Sequence, residues 1–481
     1  MAASELNDDV LLNIFDWYRL HNTSNEDKGW NLERWWHKFT HVCRKWRRLI
    51  LTSPIRLDLH LVCTYGISVK AMLSHSPPLP LIIYYPATPG KISAVDEESV
   101  ILAFQQQERV HRIHVAASIT VLCSFFKAMN CEFPMLETLS LRLSPETRTG
   151  LRLPEHFLAP LLCNLTLSNI SLPTQSPLLR QAEDLITLQL SNAPASSEFD
   201  PAHLVAHLLG MPHLKTLIIQ FYRPIPKRRF ENSARPTPIM LPSLKSLVFR
   251  GSSTYLEGLL ARIDAPLLTT FNVELFNQLT FNLSRMLQFV RRTGEFSFRF
   301  VEMQFDKEFV SLIMVPCFDE RTSRYHPTLV VCVKCQPLGW QAACVSQICH
   351  ELEPVLAGVE YLTLGFHKDG SVPWEDEIDL EMWDGLLRTF AGVQSLRLSG
   401  ALVGDLFRSL QLDKEELPLD QLPKLRELIP GAPAPPKPQS SDLPSGWESQ
   451  TSPFCHKYFV DHYAPTAAVR ACERRRLYYR G

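Results

Sequence analysis

Apolar residues in the first fifty positions recur at helical intervals. Leu6, Val10, Leu11, Ile14, Phe15 and Tyr18 share one side of a 3.6-residue spiral. Asn7, followed by Asp8 and Asp9, places a capping amide and negative charge where a helix start leaves N–H groups free, so a helix begins near Asn7. A second run sets Phe39, Val42, Cys43, Trp46, Leu49 and Ile50 on one face, with Arg44, Lys45, Arg47 and Arg48 on the others. It predicts another amphipathic helix with a basic exterior. A short middle helix is expected around Leu32 to Phe39. So small a helical unit hides only about 60% of its unfolded-chain surface. Either the rest of the chain or another polypeptide must cover the remainder.

Further along, the period changes. Pro134-Met-Leu136-Glu-Thr-Leu139-Ser-Leu141 is echoed at Pro160–Leu167, Leu185–Leu190, Pro212–Ile219, Pro242–Phe249 and Pro266–Val273, then at Val359–Leu364, Val393–Leu398 and Pro423–Leu428. Except across the gap after the sixth, successive copies lie about 23 to 34 residues apart. The last two leucines of Leu-x-x-Leu-x-Leu are two apart on a strand and point into one core, while the first turns in from the preceding loop. Ala202–Leu209 and Ser284–Val290 have helical periodicity between strands. Each unit therefore reads as a strand plus a helix, unable to bury its own apolar face and forced to stack on its neighbours. In the gap after the sixth copy, Glu295–Phe300 and Leu329–Val333 read as two degenerate repeat strands. Earlier, Leu81–Tyr85 reads as a buried strand and Val100–Gln107 as a helix.

Composition sharpens the outline. The 481 residues include 36 prolines against 19 glycines, which means frequent enforced stops and many short elements. A formal net charge of −1 gives no bias toward nucleic acid, a membrane surface or acidic ligands. The N-terminus lacks a basic region ahead of an apolar core, and no segment is apolar for the length of a membrane span. A cytoplasmic or nuclear protein is expected. The twelve cysteines are scattered, which suits reduced thiols.

Four segments sit outside the regular pattern. Residues 222–240, with Lys227-Arg228-Arg229, read as a surface loop; Glu375, Asp376, Glu377, Asp379 and Glu381 read as the charged start of a helix. Residues 431–450 form a Pro/Ser-rich linker and 451–481 an aromatic, basic tail.

There is no glycine-rich phosphate loop, nucleophile elbow or paired-histidine zinc helix. Cys332, Cys335, Cys344, Cys349 and His350 form the one metal-like constellation, but Cys332 lies in a β-patterned stretch that makes it a core residue. No cofactor, metal or catalytic residue is expected.

The order Leu-x-x-Asp-x-Leu-x-x-Ile-Phe, a spacer, then Val-Cys-Arg-x-Trp-Arg-x-Leu-Ile resembles an F-box, with Asn7 where that family usually has proline and a longer spacer from Asp16 to Lys38. The leucine motifs are similar to irregular leucine-rich repeats over roughly 300 residues, without the family's asparagine; Ile170, Ala193, Ser252 and Ala401 stand there instead. Together they resemble F-box proteins of the fungal type. The resemblance implies an α/β chain: a three-helix F-box over 1–55, then an irregular leucine-rich-repeat solenoid with a parallel sheet over 56–430. It implies the substrate receptor of an SCF-type cullin–RING ubiquitin ligase, itself non-catalytic, with a Skp-family adaptor, through it a cullin, and a protein target as partners. Adaptor contacts carried over are Leu6, Leu11, Leu12, Ile14, Phe15, Val42, Cys43, Trp46, Leu49 and Ile50.

Alternation turns other strand residues outward, toward a target: Ser140, Arg142, Gln189, Ile218, Gln220, Arg250, Asn272, Glu274, Thr363 and Arg397, with Thr138, Thr187, Thr216, Ser246, Thr270 and Ser395 beside them. They are mostly neutral, which favours a protein target over nucleic acid. A repeat scaffold with no ubiquitin connection is the alternative.

Overall fold

Every copy of the leucine motif starts with the same hydrogen-bonded turn in a computed structural model of the chain. The N–H of the first leucine reaches back three residues: Leu136 to Phe133 O, Leu162 to Ala159 O, Leu185 to Ala182 O, Leu214 to Met211 O, Leu244 to Leu241 O and Leu268 to Ala265 O, all at 3.2–3.3 Å. Val359, Val393 and Leu425 do the same at 2.9–3.0 Å. Six of the nine turns carry proline directly after the acceptor residue, where its fixed φ suits the turn and its missing N–H is not needed. The acceptor residue is itself apolar and buried, so the motif is one turn longer than its leucines suggest.

Stacking adds a second regularity. One carbonyl takes two N–H groups from the next coil, as when Ile186 O accepts from Lys215 and Thr216 at 2.8 and 3.0 Å, and Lys215 O from Lys245 and Ser246 at 2.9 and 3.0 Å. Adjacent turns lie close enough that a Cβ on Gly392 would sit 2.7 Å from Ala357 O. Only glycine fits there.

The structure describes residues 6–22, 35–54, 56–86, 92–144, 151–173, 176–191, 200–221, 237–276, 281–293, 296–306, 308–316, 329–336, 338–366, 380–400 and 422–430. The expectations for Lys227–Arg229, for 375–379 and for 431–481 lie outside them.

The chain divides into two units, Met1–Leu185 and Ile186–Gly481. The first opens with helices α1 (Asp8–Asn22), α2 (Trp35–Thr40) and α3 (Arg44–Thr52). There follow β1 (Leu61–Cys63), α4 (Val69–His75), β2 (Leu81–Tyr85), α5 (Ala94–Phe104), β3 (Val110–Ala117), α6 (Ile119–Ala128), β4 (Thr138–Leu143), β5 (Leu151–Arg152), β6 (Asn164–Ser168), β7 (Ile170–Ser171) and α7 (Pro177–Gln181). Strands β1, β2, β3, β4 and β6 pair in that order, all parallel; β5 and β7 make a small side ladder.

The second unit runs β8 (Thr187–Ser191), α8 (Pro201–Leu208), β9 (Thr216–Gln220), β10 (Ile239–Met240), β11 (Ser246–Gly251), α9 (Ser253–Leu260), β12 (Ile263–Asp264), β13 (Thr270–Leu275) and α10 (Ser284–Arg292). It continues with β14 (Phe300–Phe305), β15 (Phe309–Val315), β16 (Leu329–Lys334), α11 (Leu338–Leu356), β17 (Tyr361–Phe366), α12 (Leu380–Arg388), β18 (Ser395–Gly400) and β19 (Glu427–Pro430). Its sheet order is β8-β9-β11-β13-β16-β15-β14-β17-β18-β19. The α/β class with largely parallel strands matches expectation, and all nine leucine motifs lie on strands of these sheets.

The gap after the sixth motif differs from its reading as two parallel repeats. Among the described residues three strands lie there: β15 runs antiparallel to both β14 and β16, so these strands form a meander let into the stack. Every residue of β15 is buried, and a strand buried on both faces loses the alternation that would have revealed it.

Candidate functional site

The three N-terminal helices are built around rings. Phe15 of α1 meets Phe39 at 5.3 Å and Trp46 of α3 at 5.1 Å between centroids, Tyr18 meets Phe39 edge-on at 4.9 Å, and Trp35 closes on Phe39 at 5.8 Å. Each such pair adds about 0.5–1.5 kcal/mol beyond area burial. Polar ties set the register. Asn7 Oδ1 accepts the Asp9 N–H at 3.3 Å and starts α1; Cys43 Sγ accepts the Trp46 N–H at 3.5 Å and caps α3. Lys45 Nζ donates to Leu6 O at 2.6 Å and lies 3.2 Å from Asp8 Oδ1, while Arg47 Nε donates to Thr40 O at 2.8 Å.

The segment after α3 then folds back on α1. Arg56 Nη2 donates to Asn13 Oδ1 at 2.8 Å, and Arg19 lies 3.7 Å from Asp58, which holds a left-handed φ of 51°. Desolvation opposes ionisation of Asp58, but His60, Arg112, Arg19 and His111 together hold its carboxyl below the usual range.

Placement of the ten expected adaptor residues is uneven. Leu11, Leu12, Phe15, Leu49 and Ile50 are buried and offer no preformed contact surface, Phe15 being spent in the ring cluster. Leu6, Cys43 and Trp46 are half-buried. Ile14 and Val42 are exposed.

Two neighbours of Ile14 stand outside the expected adaptor set: Val10, read as part of the same apolar run, and Trp17. Val10, Ile14 and Trp17 are 45%, 41% and 60% exposed, and spacings of four and three residues put them on one face of α1. That spacing was visible in the sequence; which of the two apolar faces of α1 would point inward was not. The helix is apolar on both sides.

The outward strand face is the second candidate surface. In the first unit it behaves as alternation demands: along β4, Ser140 is half-buried and Arg142 exposed between buried leucines, although Thr138 at the strand start is buried. On β3, desolvation and then the Arg112 charge push the half-buried His114 down to about 4, so it is neutral at pH 7.

In the second unit the alternation breaks. Gln189, Gln220 and Thr363 are half-buried and Arg397 is exposed, but Ile218, Arg250, Asn272, Glu274 and Ser395, all expected to face solvent, are buried. Strands β11 and β13 are buried on both faces after their first residue. The charges tolerate this because they neutralise one another across the sheet: Glu274 Oε1 lies 3.1 Å from Arg250 Nε and 3.9 Å from Lys334 Nζ. Outside this row, Ser191 Oγ donates to Gln220 Oε1 at 3.0 Å.

No group of three or more His, Cys, Asp or Glu side chains is placed to hold a metal among the described residues, nor is any described helix long and apolar enough to cross a membrane.

No family model matches the sequence, and no curated protein matches it. Among solved structures, 77% of the chain aligns with a chain in the crystal structure of a TLR13–ssRNA13 complex, at 12% identity and a TM-score of 0.30. It spans 45% of that neighbour's length. A likeness at that score assigns neither family nor ligand.

Proposed function

We propose that this chain is the substrate-receptor subunit of an SCF-type cullin–RING ubiquitin ligase, with α1–α3 docking on a Skp-family adaptor and outward strand positions holding a protein target. The observation that supports the reading is the two-faced character of α1. Its inner face, with Leu11 and Phe15, is fully buried, yet Val10, Ile14 and Trp17 keep 45%, 41% and 60% of their surface exposed on the outer face. Burying an apolar side chain of that size contributes about 1.5–3 kcal/mol, so three on one helix face amount to a worthwhile docking stripe.

The mechanism would be proximity. Holding a target beside a conjugating enzyme raises the effective concentration of its lysines, and bond-making takes place on other subunits. Target contacts fall to the residues that stay accessible: Arg142 and Ser140 in the first unit, Gln189, Gln220, Thr363 and Arg397 in the second. Co-purification tests the reading: the full chain should carry a Skp-family adaptor through gel filtration, and Ile14→Asp with Trp17→Ala should abolish this while leaving the fold intact.

A repeat scaffold without a ubiquitin role is the second reading. It draws support from the same helices, since Leu12 and Phe15 are sealed by their own unit and a terminal cap on the first sheet needs nothing more.

A further inference from the structure

The stretch from α2 through α3 carries a lopsided charge. Residues 35–57 hold six cations, Lys38, Arg44, Lys45, Arg47, Arg48 and Arg56, and no aspartate or glutamate. Two of the six meet carboxylates of α1: Lys45 meets Asp8, and Arg56 lies near Asp9 and Asp16. Lys38, Arg44, Arg47 and Arg48 are exposed and form no ion pair among the described residues; Arg47 spends only its Nε, on Thr40 O at 2.8 Å. Beside them in the α2–α3 turn, His41 is exposed and Val42 keeps 55% of its surface exposed.

This arrangement works against the helix that carries it. Arg44 has Arg47 and Arg48 three and four residues on, where like charges on a helix surface repel. Arg44, Lys45 and Arg47 also stand at the start of α3, whose first turn has no acidic residue although a helix start favours anions. Among the described residues no carboxylate offsets Arg44, Arg47 or Arg48. Stability given up at an exposed position is the mark of a surface kept for a partner.

We propose that Lys38, Val42, Arg44, Arg47 and Arg48 form a docking face for an acidic polypeptide segment, which sets an apolar side chain on Val42 and carboxylates around it. The chemistry selects polypeptide over other polyanions. An apolar centre with a charged rim is the anatomy of a protein–protein contact. Leu49 and Ile50 of α3 are buried, so Val42 is too little apolar surface to enter a lipid bilayer, which takes a whole helix face. No phenylalanine, tyrosine or tryptophan among residues 37–48 is exposed for a base to stack on. The face lies on α2–α3 rather than on the α1 stripe, and a chain that binds no adaptor can still hold the peptide.

The test is fluorescence anisotropy of the full chain with two labelled peptides, octaglutamate and the same peptide carrying one central leucine. Both should bind saturably and weaken as salt rises, the leucine peptide being the tighter. Arg44→Glu should weaken both at least about tenfold while raising the thermal unfolding midpoint, because it removes two repulsions and puts an anion in the first turn. A merely structural arginine would not move binding and stability in opposite directions. Val42→Ala should erase the advantage of the leucine peptide. Lys70→Glu, at an exposed cation of α4 in the same unit, should change neither affinity. Lack of octaglutamate binding by the folded wild-type chain, full affinity in Arg44→Glu, or an equal loss in Lys70→Glu would overturn the proposal. So would tighter binding to oligothymidylate or to phosphatidylserine vesicles than to either peptide.

Discussion

Phe15 and Trp46 meet edge to face with ring centroids 5.1 Å apart, joining the first helix to the third. Phe15 is fully buried, while Ile14, its sequence neighbour, is 41% exposed. Phe15→Ala should therefore cost about 3–5 kcal/mol and loosen the helical module. Ile14→Asp should be within about 0.5 kcal/mol of wild type, as surface changes generally are. Hydrogen exchange across α1 and α3 separates the two: protection should fall in the first variant and hold in the second.

Glu274 has Arg250 and Lys334 on either side and is 4% exposed. Replacing it by alanine leaves the buried Arg250 guanidinium without its anion, and the partly exposed Lys334 without its partner. The expected loss is about 3–5 kcal/mol, measured by thermal unfolding of the full chain. Replacing Arg250, Glu274 and Lys334 together with apolar residues of similar volume should cost far less than Glu274→Ala alone, because no uncompensated charge remains.

Glu257 on α9 adds to the start of α10 acceptors that the local Asn282 side chain, taking the Ser284 N–H at 3.2 Å, does not supply. Its carboxylate oxygens accept the Arg285 and Met286 N–H groups at 2.7 and 2.8 Å, while Leu283 at the cap position contributes no side-chain bond. Removing that acceptor frees two helix-terminal donors. Glu257→Ala should destabilise α10 by about 1–2 kcal/mol, with Glu257→Gln retaining part of the effect, read as exchange protection along Ser284–Arg292.

His114 makes stability depend on pH. Its folded-state value is depressed to about 4 from 6.5, so between these limits the unfolded chain binds more protons than the folded one. The contribution is fully present above pH 6.5, declines as pH falls and is gone below pH 4. A shift of that size corresponds to about 3 kcal/mol at most. Protection of β3 amides should fall across that window in the wild type and vary less in His114→Gln.

Much of this architecture can be read from the leucines. Leu139 and Leu141, Leu217 and Ile219, Leu247 and Phe249 are two apart and buried, and the prolines before them mark turns whose geometry suits them. The α8 and α10 helices fall where periodicity puts them. Three things were illegible for physical reasons. Phe309–Val315 is buried on both sides, so it carries no alternation. Arg250, Asn272 and Glu274 look like surface residues because a single strand does not reveal the neighbours that neutralise its charges. On α1, Leu11 and Phe15 compete with Val10, Ile14 and Trp17 as the inward face, and only the Phe39 and Trp46 rings decide between them.

The most direct measurement is a calorimetric titration of the folded full chain with a purified Skp-family adaptor. The account predicts saturable one-to-one binding that weakens at least about thirtyfold in Trp17→Ala, the loss of roughly 2 kcal/mol expected of a buried aromatic anchor, with the fold unchanged. Absence of binding by the folded wild-type chain, or an affinity unchanged from wild type in the Trp17→Ala and Ile14→Asp variants, would contradict it.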